Sequence, residues 1–177
     1  MQNLRWTDDG KRSAEISERA FAIDRQGKAI PGVVWQPLRA TGAQPLVLMG
    51  HGGTGHKRSD KLERMAEIFT TDYGWWAAAI DGPVHGARGS VTDAADSAYR
   101  EMWTQPNVVQ DMIDDWTAVL DALTQLDDID KTRIGYWGVY ASVVGASGVA
   151  RTSSGVSSNS RKKPSCGVRS TRKAPTA

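Results

Sequence analysis

Apolar and polar positions change period repeatedly along the first 139 residues. Ile16 to Asp24 (ISERAFAID) alternates loosely and reads as a strand, followed by a turn at RQGK. Ala29 to Pro37 (AIPGVVWQP) reads as a second strand, closed by the polar loop LRATGAQ. Pro45 to Gly50 (PLVLMG) is a continuous apolar run, as expected of a strand buried on both faces of a parallel sheet. From Ser59 to Asp72, Leu62, Met65, Ala66 and Phe69 recur at helical spacing, and Gly74 ends the helix. Trp75 to Asp81 (WWAAAID) predicts another buried strand, with DGPVHGARG as loop after it. Pro106 suits the first turn of a longer helix, whose apolar face is Val109, Met112, Ile113, Trp116, Val119, Leu120 and Leu123. On its other side Asp111, Asp114 and Asp115 read as a solvated face. Thr132 to Val139 (TRIGYWGV) is a fifth strand candidate. Strands alternating with helices place the chain in the α/β class, with a three-layer α/β/α arrangement and a mostly parallel sheet. Trp75, Trp76, Trp116 and Trp137 are assigned to its core.

Composition divides the chain at the same place. Residues 1–139 carry 15 Lys/Arg and all 20 Asp/Glu, whereas residues 140–177 carry 7 Lys/Arg and no acid. The second segment is rich in Ser, Gly, Arg and Lys, with too little apolar surface to offset chain entropy. The expectation is an N-terminal α/β unit over 1–139 and a basic, disordered tail over 140–177. The tail has no aromatic residue past Tyr140 to stack on bases, so no specific nucleic-acid partner is expected. No apolar run approaches the roughly 20 residues that span a bilayer. The polar N-terminus is no signal peptide, and the single cysteine, Cys166, allows no internal disulfide. These features predict a cytoplasmic protein without a membrane partner.

The chemistry concentrates in Leu46 to Ser59, LVLMGHGGTGHKRS, where a strand, a glycine loop and a helix meet. Such corners bind anions. One reading is a phosphate or NTP site over Gly50 to Lys57. Gly50 and Gly55 have P-loop spacing, but His56 stands where the lysine belongs, and Lys57 comes one residue late. On a helix that slip turns the side chain by about 100°. The other reading is an oxyanion hole, with backbone N–H groups of Gly52, Gly53 and Thr54 pointing at a developing negative oxygen. His51 then shapes the loop, and His56 caps or solvates the following helix. His85 either bonds within its own loop or lines the acyl pocket. Asp81 orients its loop through an Asx-type turn. The three histidines lack metal-ligand spacing, so neither metal nor other cofactor is expected.

Taken together, VLMGHGGTGHKRS, AAAIDGPVHGAR and DKTRIGYWGV resemble the α/β-hydrolase superfamily, in its dienelactone hydrolase and acyl-peptidase branch. The resemblance covers about residues 16 to 139 and implies strand order 1-2-4-3-5. It implies hydrolysis of an ester, thioester, lactone or amide of a small-molecule acyl substrate through a serine acyl-enzyme. Pocket-lining residues would include His51, Asp81 and His85, and Ala141 would add an oxyanion donor.

One departure is plain. The family continues G-x-S-x-G after its fifth strand; here Gly138 and Val139 fit, Tyr140 occupies the nucleophile position, and Ser142 stands at the closing glycine. Residues 140–177 contain no Asp, Glu or His to complete a triad. The sequence therefore reads as a truncated hydrolase whose reading frame changes near codon 140, with a genuine divergent tail as the alternative, inactive as written, and with strand 5 left as a sheet edge prone to self-association. A non-catalytic binding protein on the same scaffold is the competing reading.

Overall fold

The computed structural model describes residues 4–138. It contains seven strands and three α-helices. The strands are β1 (Leu4–Trp6), β2 (Lys11–Arg12), β3 (Ile16–Arg25), β4 (Lys28–Pro37), β5 (Gln44–Gly50), β6 (Trp76–Ile80) and β7 (Ile129–Gly138). The helices are α1 (Asp60–Thr71), α2 (Ser97–Thr104) and α3 (Val108–Leu123).

All strands join one sheet in the order β1-β3-β4-β6-β5-β7, with β2 beside β3. For the five strands read from the sequence, this is the 1-2-4-3-5 order. The sheet is mixed, where a mostly parallel one was expected. β5 pairs in parallel with β6 and β7, but β3 pairs antiparallel with β1, β2 and β4, and β4 antiparallel with β6. The cause is local. Gln26 and Gly27 both have positive φ, which makes a two-residue hairpin turn, and Asp24 accepts the Gly27 N–H. That turn sends β4 back along β3 before the chain reaches the segments that need helical crossovers.

Three layers follow from the parity of the central strands. Leu46 and Leu48 of β5, with Trp76, Ala78 and Ile80 of β6, face one side and pack with Trp116, Val119 and Leu123 of α3. Val47 and Met49, with Ala77 and Ala79, face the other side and pack with Leu62 and Ala66 of α1. Both faces are buried, so these strands are apolar throughout. Trp76 and Trp116 are core residues, whereas Trp75 and Trp137 are only partly buried.

Two sequence expectations need correction. DGPVHGARG is not all loop: a 3₁₀ turn spans Gly86–Arg88, and beyond it α2, not anticipated from the sequence, is capped by Asp96 accepting the Ala98 N–H at 2.8 Å. Asp115 is not solvated. It is 2% exposed and lies on the buried stripe of α3 beside Trp116. The basic segment expected to be disordered, with its boundary at 140, lies outside the described residues. Among the described residues no helix is long and apolar enough to cross a membrane.

Candidate active site

The parallel strands β5, β6 and β7 deliver their carboxyl ends to one edge of the sheet, with Gly138 opposite Gly50. In open α/β sheets this edge is where ligands bind. The loop from Gly50 to Gly53 forms one wall of a pocket there, and Gly82, Pro83 and His85 form another. Tyr99, Met102 and Trp103 of α2, with Met112 and Trp116 of α3, supply an apolar and aromatic side. Tyr99 bridges the two halves: it meets His85 edge-on at 5.6 Å and Trp103 edge-on at 6.1 Å.

The two pocket histidines hold the glycine loop. His51 Nδ1–H donates to the Gly52 carbonyl at 2.7 Å, and Nε2 accepts the Gly82 N–H at 2.8 Å. This pattern is that of a neutral ring. Burial lowers the His51 pKa below the usual histidine range, against the opposing effect of the bond to Gly52. The His85 ring stands 4.9 Å away, with Nδ1 2.7 Å from the Pro83 carbonyl and Nε2 2.9 Å from the Gly53 carbonyl. His85 thus both bonds within its own loop and lines the pocket. The Gly52 carbonyl also accepts the Gly55 N–H at 3.0 Å, which closes the turn.

Asp81 is the fixed point beneath the loops. It is fully buried. One oxygen accepts the Lys57 N–H at 2.8 Å; the other accepts the Lys57 ammonium at 2.5 Å and the Ala87 N–H at 2.8 Å. The expected Asx-type turn is replaced by a bond six residues on and a link to α1's leading loop. Lys57, the P-loop candidate, is thereby committed to Asp81. Gly86 accommodates this arrangement: its φ is +54°, and a Cβ there would lie 2.3 Å from Asp81 Oδ1. We expect Gly86→Ala to cost roughly 1–3 kcal/mol from the clash and about 1 kcal/mol more from the left-handed backbone, measured as a lowered urea midpoint. Val84 also sits at positive φ, +61°, where a β-branched residue is strained.

A second buried network backs the pocket. Asp115 accepts from Arg25 Nε at 2.7 Å and from Arg88 Nη1 at 2.6 Å, and Arg88 also donates to the Asp81 carbonyl at 3.1 Å. Arg25 further meets Asp111 at 3.2 Å and Asp114 at 3.6 Å. Burial pulls the Arg25 pKa down, but its bonds to Asp115 and Asp111 outweigh this, and the net shift is upward. The network ties the β3–β4 hairpin and the DGPVHG loop to α3.

Of the residues singled out from the sequence, His51, Gly52, Gly53 and His85 meet at the pocket, Asp81 is buried beneath the loops, and Thr54, next in the chain after Gly53, is exposed. Tyr140 and Ala141 lie outside the described residues. Among the described residues no group of three or more His, Cys, Asp or Glu side chains could hold a metal ion.

Neither a family model nor a curated relative matches the sequence at a significant level. Solved structures do. A cold-adapted esterase from an Arctic intertidal metagenomic library shares 32% identity and a TM-score of 0.70 over 84% of this chain and 61% of its own. The chain has the α/β-hydrolase fold. Two further α/β-hydrolases are similar in fold. One is a dienelactone hydrolase-like promiscuous phosphotriesterase from metagenomic libraries, at 22% identity and a TM-score of 0.63 over 80% of this chain and 56% of that one. The other is an acetyl xylan esterase from Paenibacillus sp. R4, at 21% identity and a TM-score of 0.56 over 84% and 49%. This chain thus spans less than two thirds of the length of each.

Several of the pocket's residues were not legible in the sequence. Tyr99, Met102 and Trp103 belong to a short helix whose signal was Asp96 standing as N-cap before SAYREMW. Lys57–Asp81 and Arg25–Asp115–Arg88 join residues far apart in sequence, and nothing local announces such pairs.

Proposed function

We propose that this chain derives from a serine hydrolase acting on esters with an apolar acyl group, that its HGG loop is the oxyanion-binding part, and that the chain as written does not turn over substrate. The observation that carries the reading is the loop itself. It follows a buried parallel strand, and its carbonyls at Gly52 and Gly53 are held by His51 and His85. Among the described residues, no acceptor bonds the N–H of Gly53 or Thr54. Donors left open beside an apolar pocket suit a carbonyl oxygen that becomes an oxyanion when a serine Oγ adds to it. Gly52, Gly53 and Thr54 are the donors on this side, with Ala141 completing the set. Tyr140 does not serve as the nucleophile in this reading, because a phenol is too bulky for the tight elbow turn and lacks the activation of an elbow serine.

The test is hydrolysis of p-nitrophenyl acetate by the purified full chain. The expected rate equals that of buffer, and Ser142→Ala leaves it unchanged. Turnover above buffer overturns the inactivity; if it also survives Ser142→Ala, it removes the nearest alternative serine. Translating the gene in all three frames from the Thr132 codon onward tests the origin. The expected finding is a frame that supplies Ser-x-Gly beside Val139, followed downstream by an Asp and a His.

A further inference from the structure

We propose that His85 is a positioning residue for the Thr54 N–H, and that His51 and His85 divide two of the loop's donors, the Gly53 and Thr54 N–H groups, between them; the proposal rests on the oxyanion reading above. The argument is peptide geometry. In a trans peptide the C=O and the following N–H point in opposite directions, and the peptide turns as a rigid plane. The Gly52 carbonyl and the Gly53 N–H share one plane, and the Gly53 carbonyl and the Thr54 N–H share the next. His51 fixes the first plane through its 2.7 Å bond to the Gly52 carbonyl, with the Gly55 N–H as a second anchor on the same oxygen. His85 fixes the second plane at 2.9 Å, and no other donor among the described residues bonds the Gly53 carbonyl. Glycines leave both planes free to rotate unless something holds them. The first plane therefore has two restraints, and the second has one.

The His85 ring is well placed to act as that restraint. It is 3% exposed, Tyr99 packs edge-on against it, and its Nδ1 lies 2.7 Å from the Pro83 carbonyl. Val84, strained at positive φ, immediately precedes it. A side chain reached through a strained backbone, with Nε2–H donated to the Gly53 carbonyl, serves orientation better than proton transfer, since its nitrogens face carbonyls rather than open pocket.

Substitutions of graded reach test this. An Asn amide ends near the Nδ1 position and a Gln amide near Nε2, so His85→Asn loses the Gly53 bond and His85→Gln keeps a donor for it. The probe is sodium formate, titrated into the ¹⁵N-labelled full chain while the Gly53 and Thr54 amide resonances are followed. In the natural sequence both resonances shift and saturate. In His85→Asn the apparent affinity read at Thr54 falls about fivefold or more, as loss of one hydrogen bond implies, while Gly53 is affected less. His85→Gln restores Thr54, and His51→Asn spares it. If Thr54 responds equally in His85→Asn and the natural sequence, the positioning role is overturned and the oxyanion reading stands. If neither amide responds in the natural sequence, the oxyanion reading is what fails. His85→Asn displacing the Thr54 resonance without formate then still reports the peptide restraint. A dispersed spectrum verifies the fold of each variant.

Discussion

Asp115→Ala is expected to cost about 3–5 kcal/mol of folding free energy, a large share of the roughly 5–15 kcal/mol that holds a domain together. The carboxylate is 2% exposed and stands between Arg25 Nε and Arg88 Nη1. Its removal leaves two largely buried guanidinium groups facing each other. Arg25 retains Asp111 and Asp114, whose side chains are nearly half exposed and better screened. Arg88 retains only the Asp81 carbonyl among the described residues. Equilibrium urea unfolding measures the loss. The triple change Arg25→Met, Asp115→Leu, Arg88→Met is expected to recover most of it, because a buried ion cluster replaced whole by apolar groups carries no orphaned charge. A single-variant loss below about 1 kcal/mol would mean that water or rearrangement satisfies both arginines, in the range of exposed pairs.

Asp81→Ala is expected to cost a similar amount, about 3–5 kcal/mol, for a different reason. Here one carboxylate satisfies an ammonium and two backbone N–H groups, at Lys57 and Ala87. The substitution leaves three donors without acceptors and removes the link between the glycine loop and the 3₁₀ turn. Asp81→Asn keeps an oxygen for part of this set and is expected to lose less. Adding Lys57→Met to Asp81→Ala is expected to recover the charge-burial part while the two N–H groups stay unsatisfied. The recovery, read from the same unfolding curves, separates the ionic from the hydrogen-bonding contribution. No recovery in the double variant would sink the assignment of Lys57 as the charge that Asp81 neutralises.

Comparison of sequence and structure shows where local pattern stops being informative. Continuous apolar runs at Pro45–Gly50 and Trp75–Asp81 were enough to place both strands in the sheet interior, because a strand buried on two faces has no polar face to show. The glycine corner was legible because strand, HGG and helix are adjacent in the chain. Asp115 was misread because its surroundings, DMIDDW, look like a helix's wet side. Its partners Arg25 and Arg88 come from other elements, and only the fold reveals them. Asp81 was misread in a related way: a carboxylate at a strand end favours a local turn by default, and the Lys57 contact that overrides it is tertiary. Strands as short as β1 and β2 carry too few positions for any period to be seen.

The sheet order also sets a timetable for synthesis. The β3–β4 hairpin closes through a two-residue turn and can form as soon as it leaves the ribosome. β5 emerges next, yet neither strand that flanks it has been made: β6 arrives only after α1, and β7 after α2 and α3. For that interval an apolar strand waits with both edges open, and the slow step is the closure of long loops around it. The strand that bears the glycine loop is thus the one most exposed to misassembly while the chain is growing.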